Sequence, residues 1–212
     1  FKWATGNHPQ RAADGLANLR TIKDEHAIPA LIQFLGKDQR PDVRRQFIET
    51  VRQIGTAASV DPLATLALHD QVENLRELSL EGIPEDHHKL AQNEFIRELR
   101  NANNVIVLRA AAALGRTGDE EAIMPLIRAL VTTHTYKISV PVEGYSFGST
   151  GGFNNGTGLP PQVEAGLRLG LYQDVQVVPY PGTGARVAMK VVPISFTHEN
   201  AAVLIALRHL AK

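Results

Sequence analysis

The chain has no cysteine in its 212 residues, which removes disulfide frameworks, thiolate metal sites and cysteine nucleophiles from consideration. It has little aromatic content, 6% with a single tryptophan. It has no excess of either charge, because 22 basic residues balance 22 acidic ones. A general nucleic-acid or membrane-surface binder carries a basic surplus, so a net charge of zero argues against both and leaves only a local basic patch open. No apolar run approaches the roughly 18 residues of a membrane span. The first residue is Phe1 and not methionine, so any targeting segment is expected to lie outside this piece, and the compartment stays unnamed. What is present in quantity is apolar sequence, 43% of the chain, enough for a sizeable core.

That apolar sequence repeats. Ala27–Leu35 (AIPALIQFL) returns as Ser59–Ala67, Ala91–Leu99 and Ala122–Leu130, at steps of 32, 32 and 31 residues. A fixed period outranks any local reading. Written in rows, Leu31, Leu63, Phe95 and Leu126 form one column, Ile32, Ala64, Ile96 and Ile127 the next, and Leu35, Ala67, Leu99 and Leu130 a third. Upstream, Leu16, Ile48, Leu80 and Ala111 align, as do Leu19, Val51, Ile83 and Leu114. Within each row the apolar positions fall three or four apart, the spacing of one helical face. Each unit therefore reads as two helices, A then B. Gly55 and Gly118 stand where a helix end favours a left-handed residue. Ile28-Pro29 and Asp61-Pro62 suit the first turn of helix B, where a missing N–H costs little.

The third unit is irregular, because Pro84 should end its helix A early and lead through Glu85–His88 into a helix B over about 86–100. Trp3 falls in the Leu35 column, so Phe1–Ala4 reads as the tail of an earlier helix B. Asn200–Leu210 reads as a further helix A, and the chain is expected to be a fragment of a longer array.

The unit VRRQFIETVRQIG (residues 43–55), with AIPALIQFL before it, resembles the HEAT repeat, particularly the bacterial type related to phycobilisome-lyase HEAT-like repeats. The resemblance covers residues 1–132 and 199–212. It implies an all-α fold, a right-handed α-α superhelix (a HEAT-like solenoid) whose B helices line a concave face and serve as a binding scaffold. The segment after residue 133, with the final helix, also resembles the C-terminal part of repeat proteins abundant in planctomycete-like bacteria.

Between residues 133 and 197 the character changes, giving three expected parts: helical repeats over 1–132, a small β-rich insertion over 133–197, and helix A of a further repeat over 198–212. Thr135–Val142 alternates and is β-branched, the pattern of a strand. Residues 144–158 are rich in Gly, Ser, Thr and Asn and read as a loop. Pro160–Leu169 suits a short helix. Val175–Val178 and Ala185–Thr197 read as strands joined through Pro181–Gly184, a hairpin signal. An insertion of this length is expected to be a partner-binding or assembly feature, and an exposed strand edge invites pairing with a second chain.

Chemistry-bearing patterns are sparse. The glycine run 148–158 lacks the lysine and Ser/Thr of a phosphate loop. His87 and His88 are adjacent, so on a helix they point apart, and His69-Asp70 and His198-Glu199 are single dyads. The repeat enzymes that hold two irons use His-Glu pairs at recurring positions; only His198-Glu199 has that form here. Arg44, Arg45, Arg52, Arg76, Arg97, Arg100, Arg109, Arg116 and Arg128 are interleaved with glutamates, the pattern of a solvated face in which Arg76 pairs with Glu73 and Glu77. The reading is a non-catalytic scaffold with no metal and no cofactor, binding another protein or peptide through Gln33, Lys37, His69, Arg97, Arg100 and Arg128 or through the insertion. Self-association through the insertion is also open. A lyase-like or metal-dependent repeat enzyme is the alternative.

Overall fold

The computed structural model describes residues 9–141, 175–179 and 186–211. The chain forms two compact units, Phe1–Thr132 with His198–Lys212, and Thr133–Thr197. The expected helix at Phe1–Ala4, the loop 144–158, the short helix 160–169 and the turn 181–184 lie outside the described residues.

The first unit is helical. In chain order it holds α1 (Pro9–Leu19), α2 (Ile28–Leu31), α3 (Pro41–Ile54), α4 (Val60–His69), α5 (Glu73–Glu81), α6 (His88–Glu98), α7 (Asn104–Thr117), α8 (Ile123–Arg128) and α9 (Ala201–Leu210). Odd-numbered helices are A helices and even-numbered ones B helices. The four B helices are each entered through a 3-10 turn: Glu25–Ala27, Ala57–Ser59, Glu85–His87 and Glu120–Ala122. Helix α2 continues as a π-helical turn over Ile32–Gly36.

The repeat columns explain the packing. Leu31, Leu63, Phe95 and Leu126 are all fully buried, and Leu19, Val51, Ile83 and Leu114 are buried beside them. Each such side chain removed from water contributes roughly 1.5–3 kcal/mol, and one stripe per helix suffices to hold neighbouring pairs together. Helices α3 and α5 pack against one another, as do α4 and α6, and α7 and α9. One column is mixed: Ala64 is fully buried, Ile32 and Ile96 are half-buried, and Ile127 is 44% exposed.

Two helix ends behave differently. Gly55 adopts the expected left-handed conformation, φ 63° and ψ 23°, with its amide donating to the Val51 carbonyl. Gly118 does not: at φ −81° and ψ 168° it is extended. A Cβ there would lie 2.5 Å from the Leu114 carbonyl oxygen, so glycine is required by close approach and not by handedness. Helix α5 ends at Glu81, ahead of Pro84, as the proline predicts. Helix α6 is shorter than expected, because residues 85–87 form a 3-10 turn before it.

The second unit is a three-stranded sheet in the order β1-β3-β2, formed by β1 (Val131–Pro141), β2 (Val175–Pro179) and β3 (Arg186–Glu199). Strand β1 begins four residues before the expected Thr135, since the β-branched run Val131-Thr132-Thr133 already favours extended backbone. Strands β2 and β3 are antiparallel, with Val175 opposite Lys190 and Pro179 opposite Arg186. The Thr133 and Thr197 hydroxyls lie 3.2 Å apart and those of Thr135 and Ser195 2.9 Å apart. One partner advances two residues as the other retreats two, so β1 and β3 are antiparallel as well. Continuing that register sets Pro193 opposite Lys137 in a pair of the same type. Such close-side-chain pairs exchange no N–H bonds, so a proline is tolerated there.

Candidate functional site

The six residues singled out from the sequence, Gln33, Lys37, His69, Arg97, Arg100 and Arg128, are all exposed. Gln33, Thr65, Arg97 and Arg128 occupy one column, so successive B helices present one side chain each at the same height. Lys37 and His69 form a second column one turn further on, and Arg100 sits one position short of it. Apolar side chains are interspersed: Phe34 is 54% exposed, Leu90 48% and Met124 55%. Arg97 is already engaged along its own helix with Glu94, and lies 3.6 Å from Glu98.

Below the ends of the B helices runs a set of arginines that the sequence placed on a solvated face. The structure corrects that expectation for Arg44, Arg76 and Arg109, while Arg45, Arg52, Arg97, Arg100, Arg116 and Arg128 are exposed as expected. Arg44 is largely buried and grips Asp70 in two places, Nε to Oδ2 at 2.6 Å and Nη2 to Oδ1 at 3.0 Å. Its Nη1 donates to the Asp38 and Gln39 carbonyls, both at 2.9 Å. Arg76 repeats the arrangement one unit later, donating to the Asp70 and Gln71 carbonyls at 3.0 and 3.2 Å, and not to Glu73 or Glu77. Arg109 donates to the Leu68 carbonyl at 2.7 Å. Arg44 and Arg76 thus tie down the turns after the first two B helices through turn carbonyls, and Arg109 satisfies a carbonyl that the end of α4 leaves open. Burial pushes the Asp70 carboxyl up, but Arg44, the Val72 amide and Arg76 together hold it below its usual range. The Asp70 bond in turn raises Arg44.

The turns after α2 and α4 border a cleft of about 510 Å³ lined by Lys37, Asp38, Gln39, Arg44, Leu66, His69, Asp70 and Gln71. Two predicted residues, Lys37 and His69, therefore meet in one concavity. Arg97 and Arg128 lie on the later B helices, Arg100 just past the end of α6, and none of the three lines it. Asp38 is held by Arg40, its Oδ1 accepting from the amide at 2.9 Å and from Nε at 3.1 Å, and its Oδ2 from Nη2 at 3.0 Å. That pairing keeps the Asp38 carboxyl below its ordinary value.

Two further clusters escaped the sequence reading. Asp119 accepts from Lys89 at 2.9 Å and from the Gln92 side-chain amide at 2.8 Å, while its own amide donates back to Gln92 at 2.9 Å. Lys89, Gln92 and the Glu121 amide hold Asp119 down to about 2. The second cluster joins residues 104, 132 and 200 into a closed ring. Asn104 Nδ2 donates to Asn200 Oδ1 at 3.1 Å, Asn200 Nδ2 to Thr132 Oγ1 at 3.0 Å, and Thr132 Oγ1 to Asn104 Oδ1 at 3.0 Å. The signal for the first was Asp119 falling in the column of Asp24, each capping the 3-10 turn that enters a B helix. Nothing in the sequence announces the ring.

Among the described residues, no group of three or more His, Asp or Glu is placed to hold a metal ion, and no helix is long and apolar enough to cross a membrane. His88 Nε2 lies 3.3 Å from the Ile83 carbonyl oxygen, a local contact within its own turn. Residues 4–84 match the family model for HEAT repeats, and residues 106–132 match that for the PBS lyase HEAT-like repeat. No curated protein gives a significant match to the chain.

Proposed function

The chain is a HEAT-repeat protein, and from that premise we propose that it is a non-catalytic scaffold binding another protein, or a peptide segment of one, through the exposed face of its B helices. The observation that carries this is the register of that face. Gln33, Thr65, Arg97 and Arg128 stand in line on successive helices, with Phe34, Leu90, Met124 and Ile127 exposed among them. Exposed arginine, methionine and aromatic side chains in one patch are the mixture enriched in protein interfaces. The buried charges, by contrast, are bonded to each other and to turn carbonyls, a structural role.

The test is affinity capture from lysate with the intact chain and with a variant carrying Arg97→Ala, Arg100→Ala and Arg128→Ala. Retention of a discrete protein by the intact chain and its loss from the variant supports the reading; equal retention by both removes it. A second reading places binding, or self-association, on the insertion. It is favoured by Phe196, 46% exposed with its ring 5.9 Å from that of Tyr136. Phe196→Ser should then abolish a concentration-dependent rise in molar mass by light scattering, and an unchanged mass profile removes that reading.

A further inference from the structure

The charged residues that line the cleft beside Lys37 and His69 balance in number, but both of its carboxylates are taken up by arginines and Lys37 is left over. Besides His69 the cleft is lined by four ionic groups, Lys37 and Arg44 cationic, Asp38 and Asp70 anionic, and Arg40, outside the lining, pairs with Asp38. Both carboxylates are committed, Asp38 to Arg40 through both of its oxygens, and Asp70 to Arg44 through both of its oxygens. The Arg44 guanidinium is filled by Asp70 and two turn carbonyls. What remains is the Lys37 ammonium, an exposed donor with no ion pair or hydrogen bond among the described residues, and the His69 ring beside it, equally without a partner among them. One positive charge is left over before histidine is counted. Arg76 caps the Asp70 and Gln71 carbonyls, and burial together with the charge of Arg76 keeps Arg109 below its usual value.

The same rim has an apolar side. Leu66 lines the cleft, and Phe34, outside the lining but one helical turn before Lys37, is 54% exposed. A cation flanked by apolar surface, in an open concavity of several hundred Å³, fits a side chain that carries a carboxylate next to a hydrophobic neighbour. We propose that this cleft receives an acidic residue of an extended partner segment, the carboxylate meeting Lys37 and His69 over the Arg44–Asp70 floor, with an adjoining apolar residue against Phe34 and Leu66. This deepens the scaffold reading and rests on it: it names the class of partner, an acidic peptide with an apolar flank, and one point of attachment.

The experiment is an NMR titration of the full chain with two short peptides of alternating residues, Glu/Leu in one and Gln/Leu in the other, followed at the Lys37, His69 and Gln71 resonances. Millimolar affinities are read directly in this way. The Glu/Leu peptide should shift those resonances and bind about threefold to fivefold more tightly than its Gln/Leu counterpart, the range of a solvent-facing ion pair. The difference should vanish near 1 M salt. Lys37→Glu should invert the preference, so that a Lys/Leu peptide binds that variant better than the Glu/Leu peptide does. The Lys37 side chain makes no bond among the described residues, and the backbone bond of its amide to the Leu35 carbonyl survives the change, so the variant keeps the fold, and unchanged resonances of α7 and α9 check this. Equal binding of the two peptides to the unaltered chain, absence of shifts at the cleft, or an uninverted preference in Lys37→Glu each overturns the proposal. Those outcomes leave the scaffold reading standing if capture still depends on Arg97, Arg100 and Arg128. Its own failure would appear in that capture experiment and not in the titration.

Discussion

Replacing Asn200 by alanine should release α9 from the repeat stack. Asn200 is 3% exposed and sits at the point where the chain returns from the insertion. Its side-chain amide donates to the Ala129 carbonyl at 2.8 Å and to Thr132 Oγ1 at 3.0 Å, and its oxygen accepts from Asn104 at 3.1 Å. Its backbone amide donates to the Leu130 carbonyl at 2.9 Å, and its carbonyl accepts from Val203, opening α9. Alanine removes three side-chain bonds, each with a net contribution of about 1 kcal/mol, and strands the buried Ala129 carbonyl. Asn104 and Thr132 are half-buried, so water repairs part of their loss. The sum is a destabilisation of about 2–4 kcal/mol. Because repeat arrays open piecewise, the sharpest assay is amide hydrogen exchange. Amides of α9 should exchange about a hundredfold faster, the factor for roughly 3 kcal/mol, while those of α3 and α4 stay unchanged. Asn200→Asp serves as the isosteric control. It turns a donor facing two acceptors into a buried anion and should cost at least as much. Exchange in α9 within about threefold of the unaltered protein for both variants would refute the reasoning.

Ser59→Ala should stabilise the chain by about 1 kcal/mol, read as a rise in the urea midpoint, because the Ser59 hydroxyl is fully buried without a hydrogen-bond partner among the described residues and Ala27, Ala91 and Ala122 fill that column in the other units. Gly115→Ala would ordinarily gain about 0.5–1 kcal/mol in a helix. Here a Cβ would fall 2.9 Å from the Ala206 Cα, so the helices must part and a net loss of about 1–3 kcal/mol is expected, lowering Tm by several degrees. Asp70→Ala should cost about 3–5 kcal/mol by leaving Arg44 buried and unpaired, measured by urea unfolding at neutral pH. The pH dependence follows from the same bond. The folded Asp70 carboxyl titrates lower than in the unfolded chain, so its contribution is complete above the unfolded value of about 4 and is lost as pH falls through the folded value. The Asp70→Ala variant should show a correspondingly shallower acid slope, and an identical slope would count against the pairing.

Much of the fold was legible because burial forces a pattern on sequence. The columns headed by Leu19 and Leu31 could be read directly, since a helix that packs on its neighbours must show an apolar residue every three or four positions. Gly55 and Pro84 were readable for local reasons, one helix end and one missing N–H. Gly118 was misread because glycine serves two purposes, and only the 2.5 Å approach to the Leu114 oxygen separates them. The candidate face was partly legible: exposure of Lys37 and His69 follows from their place off the apolar columns, but their meeting in one cleft does not.

What the sequence alone determined is the period, the two-helix unit and the side of each helix that is buried, because these depend on residues three or four apart. What the tertiary structure decided is how the turns are held and what they border. Arg44 finds Asp70 across 26 residues, Gln92 finds Asp119 across 27, and Asn104 finds Asn200 across 96. A single polar residue has no periodicity, and a hydrogen bond is satisfied by any partner within about 3 Å. The partner is chosen by where packing of the apolar columns has already carried the backbone, which is why the core was written in the sequence and the cleft was not.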